Sequence, residues 1–169
     1  MVATGKKKLL AVDTNFLFDL ARAESFAKDF KDLFQRLGFQ LLVPPTVVGE
    51  VVIASEDDTE EKRVLAGEIL KNLIAWGIQP FAVNSVGDAI AERFSQHLRE
   101  KGLLPFSEVN DGIILAEISL GGISILATRD RHLLDIDETS LSIAFNDADL
   151  SPVSPAHPKR LLRSAQQMF

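Results

Sequence analysis

Short apolar runs alternate with helically spaced segments along this chain, and that alternation leaves few folds open to it. After a Lys6-Lys7-Lys8 lead, Lys8 to Val12 is a short apolar run that ends at Asp13-Thr14-Asn15, three residues that each suit a helix N-cap. A strand passing into a helix is expected there. Phe16, Leu17 and Leu20, then Phe26, Phe30, Leu33, Phe34 and Leu37, recur at helical spacing up to Gly38, a C-cap glycine closing two short helices or one broken one. Phe39 to Val43 is a second strand stopped by Pro44-Pro45, and Thr46 stands where it can cap a helix through Val47, Val48, Glu50, Val51 and Ile53. An acidic, exposed stretch from Ser55 to Lys62 leads into a helix through Leu65, Ile69, Leu73 and Trp76 that ends at Gly77.

Ile78 to Val83 reads as a third strand, and Ser85 opens a helix with Val86, Ile90 and Phe94 facing inward that ends near Gly102. Ser107 with Asn110 opens another, carrying Ile113, Ile114, Ala116, Ile118 and Leu120 and ended by Gly121-Gly122. Ile123 to Ala127 is a near-continuous apolar strand, as in a parallel sheet covered on both faces. Leu141 to Phe145 is expected as the fifth strand. Strands alternating with helices predict an α/β fold: a mostly parallel, five-stranded sheet whose ligands bind beyond the carboxyl ends of the strands.

With 169 residues, 46% of them hydrophobic, the chain can bury one sizeable core. Residues 1–149 are expected to form that domain. Residues 150–169 are expected as a tail: Pro152, Pro155 and Pro158 mark a loop or linker, Lys159, Arg160 and Arg163 make it basic, and Leu161 to Phe169 is at most a loosely docked helix. The absence of cysteine excludes disulfides and thiolate zinc sites. The basic start is followed only by Leu9 to Val12, too short for a secretory apolar core, and no stretch approaches the roughly 20 apolar residues of a membrane helix. A cytoplasmic protein with no membrane partner is expected. The net charge of -6 argues against a general nucleic-acid coat, whose affinity comes from Lys and Arg, but not against a nuclease that holds phosphate through a metal and a local basic rim.

The acids fall where such a sheet binds ligands. Asp13 and Asp130 each follow an apolar strand, and Asp111 and Glu50 stand near helix starts at the same edge. Asp13, Asp111 and Asp130 each also suit an N-cap, Asn110-Asp111-Gly112 also suits a turn, and Glu50 also suits a solvated helix face. Convergence of all four is a separate possibility. Carboxylates crowded in a cleft repel, and such a cluster is most stable around a hard divalent cation, Mg²⁺ or Mn²⁺. That ion can lower the pKa of a bound water and neutralise charge on a phosphodiester under attack.

Four segments carry a resemblance to a known family: LLAVDTNFLFDL (Leu9 to Leu20), PPTVVGEVV (Pro44 to Val52), VNDGIILAEISLGGISILATRD (Val109 to Asp130) and the run Leu141 to Phe145. Together they resemble the successive motifs of PIN domains over most of residues 8–146, the first and third segments being the most specific. The resemblance implies a three-layer α/β/α PIN-like fold and a metal-dependent endoribonuclease, a hydrolase of RNA phosphodiester bonds. It implies Asp13, Glu50, Asp111 and Asp130 as catalytic, metal-binding acids for Mg or Mn. Thr128 would be a hydroxyl that supports the acids or faces a phosphate. The biological setting it implies is either a toxin with an antitoxin protein as partner or a free-standing RNA-processing enzyme, and homodimers are frequent among such proteins.

One departure stands beside the match. The family often has an acid two residues after the last Asp, followed by Phe, where this chain has His132 and Leu133; Asp135 and Asp137 are the nearby candidates to supply that charge. Arg129 and Arg131 flank Asp130 and are the candidates for phosphate contacts, with solvated charge as the alternative. His97 and His157 lack partners at ligand spacing, no phosphate-binding glycine fingerprint is present, and no serine sits in a nucleophile elbow. The richness in Phe, 11 in all, is expected to serve the core rather than a base-stacking platform, with Phe106 and Trp76 as the candidate exceptions. Two other functions compete with this one: a catalytically inactive PIN-like scaffold that binds RNA or protein, and a phospho-receiver domain. This chain lacks the paired acids before Asp13 and the Lys after a late strand that a receiver requires.

Overall fold

Five strands, β1 (Lys8–Val12), β2 (Phe39–Val43), β3 (Ile78–Pro80), β4 (Ile125–Ala127) and β5 (Ser154–Ala156), pair in parallel in the order β3-β2-β1-β4-β5. The structure, a computed structural model, describes residues 8–168; Lys6 and Lys7 of the basic lead and Phe169 at the end of the expected last helix lie outside the described residues. Helices α1 (Thr14–Ala21), α2 (Ser25–Arg36), α3 (Pro45–Ala54), α4 (Glu60–Asn72), α5 (Ser85–Glu100), α6 (Val109–Leu120), α7 (Arg131–Leu134), α8 (Glu138–Asp147) and α9 (Pro158–Met168) complete the described chain. They cover the sheet in the three-layer α/β/α arrangement expected. The chain builds outward from β1 to β3 and then returns across β1 to add β4 and β5. The strand order therefore reverses between β1 and β4, where a crevice opens at the carboxyl ends.

Burial follows the apolar pattern. Leu10, Ala11 and Val12 of β1 and Leu126 and Ala127 of β4 are fully buried, as strands covered on both faces must be. An aromatic chain ties two helices to the sheet: Phe16 of α1 meets Phe30 of α2 edge-on at 5.1 Å, Phe30 meets Phe34 at 4.4 Å, and Phe34 meets Phe39 of β2 at 5.2 Å. The break between α1 and α2 falls at Ala23, whose φ of 58 ends the first helix. Gly38, at φ 91, makes the turn from α2 into β2 that an L side chain rarely adopts.

Several local expectations are corrected. Leu141 to Phe145 is helical, part of α8, and not the fifth strand. Leu-Ser-Ile-Ala-Phe alternates like a strand, but Leu141, Ala144 and Phe145 are the buried set, at i, i+3 and i+4, while Ser142 and Ile143 are exposed. Asp137 caps this helix by accepting from Ser140 N–H at 2.9 Å, and Phe145 stacks on Phe94 of α5 at 4.8 Å. The fifth strand is Ser154–Ala156, inside the segment expected to be a linker. Its proline is tolerated because β5 is an edge strand, and it is pinned at both ends by Ser154 N–H to Ser124 O at 2.9 Å and Thr128 N–H to Ala156 O at 3.0 Å. The third strand stops at Pro80. Thr46 does not cap α3, and Asn84 rather than Ser85 caps α5 by accepting from Gly87 N–H at 2.8 Å.

The last helix is docked. Helix α9 packs on α2, with Leu162 and Ala165 buried in the core and the ammonium of Lys159 5.0 Å from the centre of the Phe26 ring. Ending the chain at Leu150 would remove β5 and α9 and strip one edge of β4; the shortened protein is expected to lose cooperative unfolding in urea. The milder Leu162→Ala is expected to cost about 2–3 kcal/mol in the same titration. A loosely docked tail would leave both curves unchanged.

Candidate active site

Asp13 leaves β1 and caps α1, its Oδ1 accepting from Thr14 N–H at 2.8 Å. Its Oδ2 accepts from the Thr128 hydroxyl at 2.6 Å and from Asn15 Nδ2 at 3.4 Å. Its backbone N–H donates to Ala127 O at 3.0 Å, carrying the β1–β4 ladder one residue further. Thr128 is fully buried. Its oxygen also accepts from Asp130 N–H at 3.0 Å and Asn15 Nδ2 at 3.3 Å, so one hydroxyl sets both strand-end acids. Asp130 in turn caps α7 through His132 N–H at 2.9 Å.

Helix α6 brings Asp111, which is only 7% exposed. The first turn of α6 lies against α5: the Ser95 hydroxyl donates to Val109 O at 2.6 Å, and a Cβ on Gly112 would stand 2.6 Å from Ser95 Cα. The glycine beside Asp111 therefore permits close helix packing and is not the mark of a turn. Helix α3 brings Glu50, whose Oε1 accepts from the Thr14 hydroxyl at 2.6 Å. Helix α3 is itself seated on α6 by Glu117, a buried residue that accepts from Thr46 N–H at 3.0 Å and the Thr46 hydroxyl at 2.8 Å. Burial raises the pKa of Glu117, and the two Thr46 bonds oppose the rise.

Asp13, Glu50, Asp111 and Asp130 thus line one cleft of about 470 Å³. The electrostatic cost of gathering them is visible in their titration. Burial is the main cause pushing the Asp13 carboxyl up to about 6, with the charges of Glu50 and Asp130 adding and the bonds from Thr128 and Thr14 opposing. Asp111 is driven well above the usual carboxylate range, by burial first and then by the neighbouring Asp130 carboxyl; Asp13 and Glu108 add to the rise. Asp111 Oδ2 is buried with no hydrogen-bond partner.

One oxygen from each of Glu108, Asp111 and Asp130 lies within 4.8 Å of the other two. An all-oxygen, acidic donor set with an orphaned buried oxygen fits a hard divalent cation, which would relieve both the repulsion and the missing bond. Asp13, Glu50, Asp111, Asp130 and Glu108 are the residues able to hold it.

The residues expected to contact phosphate divide. Thr128 is fully buried and its hydroxyl donates to Asp13. Arg129 lines the cleft, but its guanidinium grips the buried Asp19 with Nε–Oδ2 at 2.6 Å and Nη2–Oδ1 at 3.0 Å, while its backbone N–H donates to Asn15 Oδ1 at 3.1 Å. Arg131 is solvated and turns to Asp135, 3.6 Å away. The cations that rim the cleft alongside Arg129 are Arg22 and Lys62, which sequence reasoning did not select because they approach only when α1 and α4 pack together. Glu108 was also missed, although it stands three residues, about one helical turn, before Asp111.

Residues 10–139 match the sequence model of the PIN domain family. No curated protein sequence matches the chain. Among solved structures, the fold is similar to VapBC2 from Rickettsia felis bound to a DNA fragment from its promoter, with TM-score 0.60 and 12% identity over 88% of this chain and 98% of that one. It is similar to FitAB bound to an IR36 DNA fragment, with TM-score 0.54 and 19% identity over 89% of this chain and 95% of that one. FitAcB from Neisseria gonorrhoeae gives TM-score 0.54 and 19% identity over 88% of this chain and 97% of that one. At such identities these likenesses concern the fold alone, and the family model, which spans β1 to the start of α8, carries the assignment: the chain belongs to the PIN domain family.

Proposed function

We propose that this chain is a Mg²⁺- or Mn²⁺-dependent ribonuclease that hydrolyses RNA phosphodiester bonds, acting as the toxin of a toxin–antitoxin pair. The observation that carries the hydrolase is the orphaned, buried oxygen of Asp111 inside a cleft of converging carboxylates, because nothing in the protein satisfies it and a divalent cation would. Membership of the PIN domain family supports a nuclease. The toxin setting follows from the likeness of the sequence motifs to those of PIN-domain toxins; VapBC2 and FitAB, each bound to a DNA fragment, share the fold. An antitoxin and a second copy of the chain are the protein partners in that setting. Among the described residues, no helix is long and apolar enough to cross a membrane.

Each side chain has a definable task. Asp13, Glu50, Asp111 and Asp130 present carboxylate oxygens to the cleft, and Thr128, Asn15 and Thr14 hold the first two of these so that they need not reorganise when substrate arrives. A cation held by these carboxylates would supply a water of lowered pKa and charge neutralisation at the phosphate. Arg22 and Lys62 on the rim attract the flanking phosphates, which a chain of net charge -6 would otherwise repel. Arg129 is held by Asp19 and keeps the Asp130 turn in place.

Cleavage of a labelled single-stranded RNA with Mn²⁺ tests this. Chelator is expected to stop cleavage, and Asp13→Asn and Asp111→Asn are each expected to slow it about 100-fold or more. Cleavage that survives chelator and both substitutions would remove the metal-nuclease assignment.

The raised pKa values give a second prediction, in stability. Asp13 is favoured in its neutral form by the fold, so its contribution is present in full below its ordinary value of 3.8 and is lost as pH rises to about 6. Asp111 and Glu117 are shifted in the same direction and extend the loss further. The melting temperature of metal-free protein is therefore expected to fall between about pH 4 and pH 8, and added Mg²⁺ to raise it more at pH 8 than at pH 5. A metal-free melting temperature that rises over that range would contradict the site's electrostatics.

A further inference from the structure

Glu108 occupies the N-cap position of α6, where an acid ordinarily turns back onto the free N–H groups of the first turn, yet its side chain makes no such bond. It is directed instead toward two other carboxylates. One oxygen each from Glu108, Asp111 and Asp130 lies within 4.8 Å of the others. Oxygens around an octahedral Mg²⁺ at 2.0–2.1 Å stand roughly 3 to 4 Å apart, so small torsional adjustments close this set around an ion.

A second observation points the same way. Asp111 is more than nine-tenths buried, and its Oδ2 has no hydrogen-bond partner. The remaining contact of Glu108 is His132 Nε2 at 3.5 Å, with the imidazole half-exposed.

The other acids near Asp130 are engaged elsewhere. Asp135 faces Arg131 at 3.6 Å, and Asp137 caps α8 through Ser140 N–H at 2.9 Å and the Ser140 hydroxyl at 2.8 Å. Neither belongs to the Glu108, Asp111 and Asp130 group. Asp13 and Glu50 already accept hydrogen bonds at 2.6 Å from Thr128 and Thr14, whereas the Asp111 oxygen accepts none. We propose that Glu108 is a metal ligand of this chain, forming with Asp111 and Asp130 a three-carboxylate site for one divalent cation. This rests on the assignment of the cleft as a metal-dependent nuclease site.

The test is Mn²⁺ binding by the full chain without RNA, followed by calorimetry and by loss of the free-Mn²⁺ signal in electron paramagnetic resonance. Glu108→Gln is expected to weaken Mn²⁺ binding about tenfold or more, and Asp111→Asn at least as much, while Asp135→Asn leaves it at the wild-type value. In chelator, Glu108→Gln is expected to melt at or above the wild-type temperature, since it removes a carboxyl group crowded against those of Asp111 and Asp130. A Glu108 that served only to pair with His132 would instead lower that temperature and leave Mn²⁺ affinity intact. Wild-type affinity in Glu108→Gln alongside weakened binding in Asp111→Asn overturns the role of Glu108 and leaves the nuclease assignment standing. A wild-type chain that binds no Mn²⁺ overturns both.

Discussion

A hydrogen bond of 2.6 Å from the buried Thr128 hydroxyl to Asp13 crosses the point where the sheet reverses direction, and the geometry of the cleft depends on it. A carboxylate as enclosed as Asp13 is costly unless its oxygens are satisfied, and here donors on both strand ends satisfy them. Because the same hydroxyl accepts from the Asp130 N–H, the positions of the two acids are not independent. Asn15 closes the network by bonding Asp13, Thr128 and Arg129, and Asp19 anchors the Arg129 guanidinium two-handed. A crevice that every doubly wound sheet forms at its reversal is thereby lined with rigidly held oxygens.

Helix α6 is the second support. It carries Glu108, Asp111 and Glu117, three acids on one helix with different surroundings. Glu117 accepts from the N–H and O–H donors of Thr46, and those two bonds seat α3 and, with it, Glu50. Asp111 and Glu108 meet other carboxylates, and without a cation that proximity works against the fold. The contrast follows from which groups each acid faces, since all three are the same kind of side chain. Gly112 lets the whole helix approach α5 closely enough for Asp111 to be buried. The region therefore combines a tightly packed frame with a locally destabilised centre, as sites that bind charged ligands commonly do.

Much of this was legible from residue order. Strand β1 with its Asp-Thr-Asn cap, the glycine-bounded helices and the apolar β4 were readable because periodicity and capping chemistry agree there. Asp13, Asp111 and Asp130 stood out through their placement after strands or at a helix start. The fifth strand was not legible: Ser-Pro-Ala has little strand propensity and is held by its neighbours' backbone, while Leu141 to Phe145 alternates like a strand and yet buries a helical face. Arg22 and Lys62 reach the cleft only through the packing of α1 and α4, which nothing local records. Arg129 and Arg131 are adjacent in sequence and alike in chemistry, but one is captured by Asp19 and the other turns outward. That difference is decided by tertiary partners.

The central claim is that the carboxylates at the β1–β4 reversal form a divalent-cation site. Anomalous diffraction at the manganese edge from crystals of the protein grown with Mn²⁺ addresses it most directly. The account predicts a strong anomalous peak in the cleft within about 2.5 Å of oxygens from Asp111 and Asp130. Crystals with Mn²⁺ bound at other acidic surfaces and no peak in this cleft would contradict it.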